Sequence, residues 1–358
     1  MSSQPPCAPA VPCLPRPETE PYPALPLLSR VTSADLDTFA TRRILVVGDV
    51  MLDHFVRGNV RRISPEAPVP IVEVAEESFN PGGAANVACN IAAFSKKVSL
   101  MGRIGRDMQG QQLQHLLVED GVNTDPMLVS TTVPTISKAR VVARQQQIVR
   151  VDREKLLKLT DGELAEVETK IRVQAEHLDA IILEDYGKGF ITEALMKLVT
   201  GIAREKNLLV TVDPSPRNPL PWREVNLVKP NRLEAFAAAG IEDSHLPVAP
   251  SANEELLRVG RTLLERWDTA MVLVTLGEQG MMLFQRQGEP HHIPTQAQEV
   301  YDVSGAGDTA IAVLTLALAS GMQPEQAANV ANYASGIVVG KLGTACVTPA
   351  ELLAAMAG

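Results

Sequence analysis

The chain has 358 residues, 45% hydrophobic and 21% charged, enough apolar mass for a sizeable core and ordinary for a soluble globular protein. Its net charge of −9 at pH 7 argues against nucleic acid or an anionic membrane as the main partner, and leaves room for a local basic cluster that takes a small anion. Four cysteines with no CxxC and no paired histidine argue against a zinc site or a disulfide framework, and suggest a reducing cytoplasm.

In chain order, residues 1–35 read as a disordered tail: nine prolines fall in the first thirty positions, with no basic-then-apolar leader pattern. From Arg42 the character changes. "RRILVVGDV" predicts a strand buried on both faces. "HFVRGNVRRISPEAPVPIVEVAEES" is rich in β-branched residues, proline and arginine, and predicts short exposed strands and turns. A glycine turn and alanine-rich helix follow in "PGGAANVACNIAAFSK", then a strand in "KVSLMGRIG" and an amphipathic helix in "DMQGQQLQHLLVEDG".

"TTVPTISKARVVARQQQIVRVD" alternates and predicts a hairpin. Helices are expected over roughly Asp161–His177, Glu193–Lys206 and Asn253–Trp267, and strands in "DAIILEDYGKG", "LLVTVDPSP" and "AMVLVTLGEQG". "VNLVKPNRLEAFAAAG" reads as strand, turn and helix, "MMLFQRQGEPHHIP" as a hairpin, and two closing helices start near Asp308 and Pro324. The longest apolar run, Ala310 to Ser320, is too short to cross a bilayer.

Strands alternating with helices imply an α/β fold: a mostly parallel central sheet with helices on both faces. The two β-rich inserts, about 54–76 and 131–152, do not fit that layering and predict a small β-sheet lid. Ligands of such open sheets bind at the carboxyl ends of the strands, where the polar clusters of this chain fall.

The most informative stretch is "VYDVSGAGDTAIAVLTLALASG". Glycines at 305 and 307 allow tight turns, and the helix that follows offers free N–H groups and the positive end of its dipole, a setting for phosphate. An aspartate in that turn adds nothing to anion binding. A general base would belong there: Asp308 takes a proton from an attacking hydroxyl while Gly305, Ala306 and Gly307 hold the phosphoryl oxygens. A plainer reading is a helix entry in which Asp308 complements the dipole. Two other phosphate signatures fail: "GIVVGK" has the wrong spacing and no Ser or Thr for a P-loop, and no GxGxxG follows the first strand.

"DVSGAGDT" near the C-terminus and "PGGAANVA" near the N-terminus together closely resemble the ribokinase-like (PfkB) sugar kinases, over about Ile44 to Pro349. That resemblance implies a sheet sandwiched by helices with a β lid, ATP and magnesium as cofactors, and a homodimer. By position it makes Asp308 the catalytic base. It places Asp53 of "GDVMLD" on sugar hydroxyls with Asp49 nearby, and Gly82, Gly83 and Asn86 in the sugar-contacting turn. Asn231 and Glu234 of "KPNRLEA" fall near the ATP phosphates and the magnesium water shell, Thr275, Gly277 and Gly280 against the nucleotide, and Asn332 at the adenine. Asp302 and Ser304 match positions that hold a monovalent cation such as potassium in some members. Each has a plainer role too: glycines for close helix packing, Asp53 as a turn cap, Asn231 and Glu234 as a helix start.

Finer similarity points to the branch of the family that phosphorylates D-glycero-β-D-manno-heptose 7-phosphate, through "GDVMLD", "RRISPEAPVPIVEV", "GGAANVACNIA", "TISKARVVARQQQIVRVD" and "DYGKG". The lid is basic within an acidic chain: Arg61, Arg62, Lys138, Arg140, Arg144 and Arg150 suit a phosphorylated substrate, with Lys138 and Arg140 on one face of a strand. The alternative is that these charges guard exposed sheet edges. Asp185 and Lys188 are further candidates for sugar or phosphate contact, while Glu184 stands where a small polar residue is expected and would crowd the sugar. Because the chain stops after the kinase unit, a single-function kinase is expected, with nucleotidyl transfer left to another protein. Two rivals stay open: a family kinase for another sugar phosphate, such as fructose 6-phosphate or fructose 1-phosphate, and a non-catalytic nucleotide or sugar sensor.

Overall fold

The computed structural model describes residues 31–144, 146–297, 300–341 and 343–357. Residues 1–30 of the expected tail lie outside the described residues. Its last residues do not read as tail: Thr32 caps a short helix, Ser33–Phe39, through a reciprocal bond pair with Asp35, and Leu36 and Phe39 are buried.

Eight strands form the central sheet, and the six in its parallel part include Ile44–Gly48, Val98–Met101, Ala180–Glu184, Leu209–Asp213 and Met271–Thr275. An antiparallel hairpin, Met281–Gln285 with His291–Ile293, closes one edge. The all-apolar strand pattern arises because both faces are covered. Ile44 and Val46 pack into one core with the Ala84–Ala92, Ala306–Ala319 and Pro324–Val338 helices, while Leu45 and Val47 pack into a second core with Asp161–Ala175, Glu193–Lys206 and Glu254–Trp267. Each such buried side chain contributes roughly 1.5–3 kcal/mol relative to exposure. The Ala306–Ala319 helix is apolar all round because it is buried all round; Thr315 survives there by bonding Ile311 O and the Thr211 hydroxyl, both at 2.7 Å.

The second sheet has four strands in the order Pro70–Gly83, Val50–Ile63, Ile136–Ala143, Gln146–Arg153. Its strands are longer and more regular than the expected short strands and turns: the first two run for 14 residues each, because their pairing begins at Val50 and Gly83, at the root of the first central strand. Beyond its root the sheet is mostly half-buried or exposed, and Gln146–Arg153 is exposed throughout, so the basic and β-branched residues stay largely near solvent. Two further differences are small. Arg103–Gly105 and Leu128–Ser130 form a separate two-stranded sheet, and Thr348 with Glu351 starts a third closing helix, Pro349–Ala357, not anticipated from the apolar run alone. No described helix is long and apolar enough to cross a membrane.

Candidate active site

The site is assembled by register. Asp213 lies opposite Glu184 across two neighbouring parallel strands, and the Lys229 N–H bonds Val212 O at 2.8 Å on the next strand. In-register residues on neighbouring strands share a face. Three strand ends thus present Lys229, Asp213 and Glu184 as a row, under the start of the helix that carries Asp308. Lys229 Nζ and Asp213 Oδ2 are 2.7 Å apart. Burial raises Asp213 to about 6, against the pull of Lys229. Glu184 is 1% exposed, and burial together with Asp213 and Asp308 holds its carboxyl well above the usual carboxylate range. Lys229 loses solvation as well, but the carboxylates beside it prevail and its ammonium is held more firmly than in water.

Asp308, 6% exposed, sits in the first turn of its helix. The Asn86 amide donates to Oδ2 at 2.6 Å and the Tyr186 hydroxyl donates to Oδ1 at 2.8 Å, so the carboxylate is oriented from two sides. Burial raises it to about 6, and those two hydrogen bonds limit the rise. A carboxyl raised in this direction is a stronger proton acceptor than an ordinary aspartate. Gly305 lies three residues before it at φ +81°, a conformation that suits glycine, and no side chain caps this helix; Ala306 N–H bonds Val303 O and Thr309 N–H bonds Gly305 O, so the Gly307 and Asp308 N–H groups are the ones that face a ligand. A Cβ on Gly307 would lie 3.4 Å from Lys229 Nζ and 3.9 Å from Asp213 Oδ2. The lysine ammonium therefore stands beside the glycine turn, adding a full positive charge to its dipoles.

Two cavities meet at Gly307 and Thr275. One, of about 570 Å³, holds Asp308, Glu184, Asp213, Lys229, Asn231 and Glu234 at its floor. The other, about 620 Å³, is more apolar, with Met281, Val303 and Val339 beside Gly277, Gly280 and Asn332. Gly280 is required by close approach, since a Cβ there would meet Ile293 O at 2.0 Å. Asn332 donates to Pro294 O at 2.7 Å. Asn231 and Glu234 do form the capping pair their spacing suggests, at 2.9 and 3.0 Å, and both also line the first cavity.

The first cavity is also lined by Lys138, Arg150, Lys188 and Arg217, interleaved with Asp152, Glu154 and Asp185. The Lys138 ammonium lies 5.9 Å from the Tyr186 ring centre, and burial lowers its pKa. Lys188 pairs with Glu154, and Arg150 holds Asp152 through two bonds of 2.7 and 2.8 Å. Burial raises Asp185 to about 7 although it accepts from Gly187 N and Asn218 Nδ2. Asp53 pairs with Arg140 at the lid root, and a Cβ on Gly82 would meet Asp53 Oδ2 at 2.5 Å, so that glycine makes room for the carboxylate. Gly83 has φ +60° and abuts Asp49 O.

Several expected roles change. Asp49 does not reach the cavity: its two oxygens accept the N–H groups of Tyr186, Lys188 and Phe190 at 2.9–3.0 Å, so it shapes the loop that carries the site. Asn86 donates to Asp308, through the bond already described. Arg62 and Arg144 are exposed and away from the cavity; Arg144 occupies the turn of its hairpin at φ +55°, and Arg61 pairs with Glu73 at the surface. Asp302 uses both oxygens to hold the loop, accepting Ser304 N at 2.9 Å and Gly343 N at 3.2 Å; burial would raise its carboxyl, yet these bonds lower it. Sequence reading missed Tyr186, Asp213, Lys229 and Arg217. Asp213 and Lys229 carried a signal, each being a charge at the end of a strand.

The model of the "pfkB family carbohydrate kinase" matches residues 41–351. The chain is 42% identical over 312 residues to the bifunctional protein HldE of Geobacter metallireducens, covering 87% of this chain and 62% of the relative. It is 41% identical to that of Salmonella arizonae, covering 90% and 65%. The chain thus spans 62–65% of the length of these curated relatives. The fold is shared with Arabidopsis thaliana ribokinase complexed with ribose and ATP (TM-score 0.67, 18% identity, 88% of this chain and 98% of that one). It is also shared with phosphofructokinase-2 of Escherichia coli in complex with potassium (TM-score 0.69, 21% identity, 88% and 98%). With the family model spanning residues 41–351, the chain belongs to the PfkB family of carbohydrate kinases and is an ATP-dependent sugar kinase.

Proposed function

We propose that this kinase transfers the γ-phosphoryl group of ATP to the C1 hydroxyl of D-glycero-β-D-manno-heptose 7-phosphate, giving the 1,7-bisphosphate for ADP-heptose and lipopolysaccharide-core synthesis. The observation that carries the reading is the lining of the first cavity, which brings Asp308 together with four basic side chains, Lys138, Arg150, Lys188 and Arg217. A sugar bound there with its phosphate among the bases presents the opposite hydroxyl to the carboxylate. The lid and "DYGKG" stretches that resemble the heptose-kinase branch supply most of these residues.

In this reading Asp308 accepts the hydroxyl proton as the oxygen attacks phosphorus, held in line by Asn86 and Tyr186. The Gly307 and Asp308 amides and Lys229 stabilise the oxygens of the transferring group, where positioning and charge supply most of the rate. ATP occupies the second cavity, its base near Asn332 and its phosphates over Thr275 and Gly277. Magnesium, when bound, neutralises the phosphate oxygens. The oxygen donors Asn231 and Glu234 suit a hard cation that keeps several waters. Potassium at Asp302 and Ser304 would steady the loop before the glycine turn. The enzyme works in the cytoplasm, where ATP is supplied, as a homodimer joined through the exposed lid face, which includes Val74, Val149 and Val151.

The test is ADP release from MgATP with the heptose 7-phosphate, beside fructose 6-phosphate, fructose 1-phosphate and ribose. Turnover mainly on the heptose is expected. Preference for a fructose phosphate would keep the base and replace the substrate, and no turnover on any sugar with ATP still bound would favour a sensor.

A further inference from the structure

Strand register arranges the charges of the lid in two rows. Asp53, Lys138 and Asp152 lie opposite one another on three neighbouring strands, and Phe55, Arg140 and Arg150 form the next row. Opposed residues share a face, and two opposed arginines repel. The acids offset that repulsion: Asp53 pairs with Arg140, and Asp152 takes the Arg150 fork through two bonds, from its Nε and Nη2. Glu154, just past the end of Gln146–Arg153, pairs with Lys188, whose side chain is only 6% exposed. The bonds from Arg150 hold the Asp152 carboxyl below the usual carboxylate range. Of the four cations lining the first cavity, Arg150 and Lys188 are therefore held by acids that line it too, whereas Lys138 and Arg217 are in no ion pair among the described residues.

We infer that Asp152 and Glu154 are internal competitors for the substrate's phosphate: they occupy Arg150 and Lys188 in the empty site, yield them to a phosphomonoester, and take them back as the product leaves. This rests on the reading that the sugar's phosphate binds among these bases, and not on which sugar carries it. A phosphate accepts an arginine fork as a carboxylate does, so Asp152 stands in the ligand's place. With side chains 29% and 27% exposed, both acids turn to water when displaced. The competition has a use. The phosphate already on the sugar is the same in substrate and product, so tight binding to it lowers KM without raising kcat and holds the product back. Two carboxylates within reach of the same cations weaken that grip.

The test titrates inorganic phosphate into the full chain without nucleotide or sugar, followed by phosphorus NMR line broadening. Glu154→Gln and Asp152→Asn should each tighten phosphate about three- to tenfold, the reciprocal of the fraction of chains in which the pair is open. Glu73→Gln, which breaks a surface pair with Arg61, should change nothing. The gain in Glu154→Gln should vanish in a Lys188→Gln background, which a merely structural role would not require. Thermal melts establish which variants are folded; Asp152, on an exposed strand, is the one that tolerates change best. With the phosphorylated sugar that turns over, KM should fall by the same factor while kcat does not rise. Unchanged or weaker phosphate binding in either folded variant would overturn the inference, as would a gain that persists without Lys188. A higher KM would do so too, by marking the acids as sugar contacts. Phosphate binding is read without any sugar, so rejection of the heptose leaves it standing, and its failure leaves the heptose assay untouched.

Discussion

The strand-end row and the lid sheet both carry charge, but they handle it differently. Lys229, Asp213, Glu184 and Asp308 are withdrawn from water on the ends of parallel strands and the helix above them, and their ionisation is set by one another. The lid spreads Arg57, Arg61 and Arg150 over an exposed sheet, paired with Glu76, Glu73 and Asp152 near solvent. Buried charges are costly and strongly coupled, so the row is rigid and intolerant of change. Surface pairs contribute about 0–1 kcal/mol each, so the lid can exchange partners and take a ligand anion in their place. In the proposed reading, chemistry resides in the first region and selection in the second.

Substitutions that remove charge from each region test this division. Asp308→Asn should cost about 10²–10⁴-fold in turnover while ATP still binds; unchanged turnover would end its assignment as base. Lys229→Met leaves Asp213 buried beside two other acids, and denaturant melts should show a loss of about 3–5 kcal/mol. A stable Lys229→Met chain would mean that the row is protonated and soft. Lys138→Ala should raise KM for a phosphorylated sugar about tenfold or more with little change in kcat, and leave the KM of the dephosphorylated sugar unchanged. If both substrates suffer alike, the lid does not read phosphate. Arg62→Ala and Arg144→Ala, remote from the cavity, should change stability by less than about 0.5 kcal/mol and kinetics not at all.

The two regions also separate in pH. Turnover should fall as pH drops through about 6, where Asp308 gains a proton, and Tyr186→Phe should move that limb upward by removing a bond to the charged form. Stability has the opposite sign. Asp308 and Asp213 at about 6 and Asp185 at about 7 are raised above their unfolded values, so the folded chain takes up protons. Their contribution is complete below the unfolded pKa and is lost as pH rises through 6 and 7. Asp243 and Glu351, both lowered to about 2 by paired cations and hydrogen bonds, stabilise above the unfolded value and fail only in stronger acid. Melting temperature should therefore rise from pH 8 to about 5 and then decline.

Much of this was legible before any coordinates. Alternation of buried strands and helices set the layers, since a strand covered on both faces must be apolar throughout, as Ile44–Gly48 is. The glycine turn before Asp308 stood out by a mismatch of residue types. Glu184 was visible as an anomaly but not interpretable, because its meaning depends on which neighbours share its face.

Local pattern thus determined the fold class and the glycine turn with its aspartate, because each rests on contacts within a few residues along the chain. Only the tertiary structure decided that Lys229, Asp213 and Glu184 stand side by side, that Asn86 and Tyr186 converge on Asp308 from 222 and 122 residues away, and that Asp49 braces a loop while Arg62 and Arg144 lie exposed outside the first cavity. Register between strands and the docking of a distant helix set those relations. Neither leaves a short-range mark in the sequence.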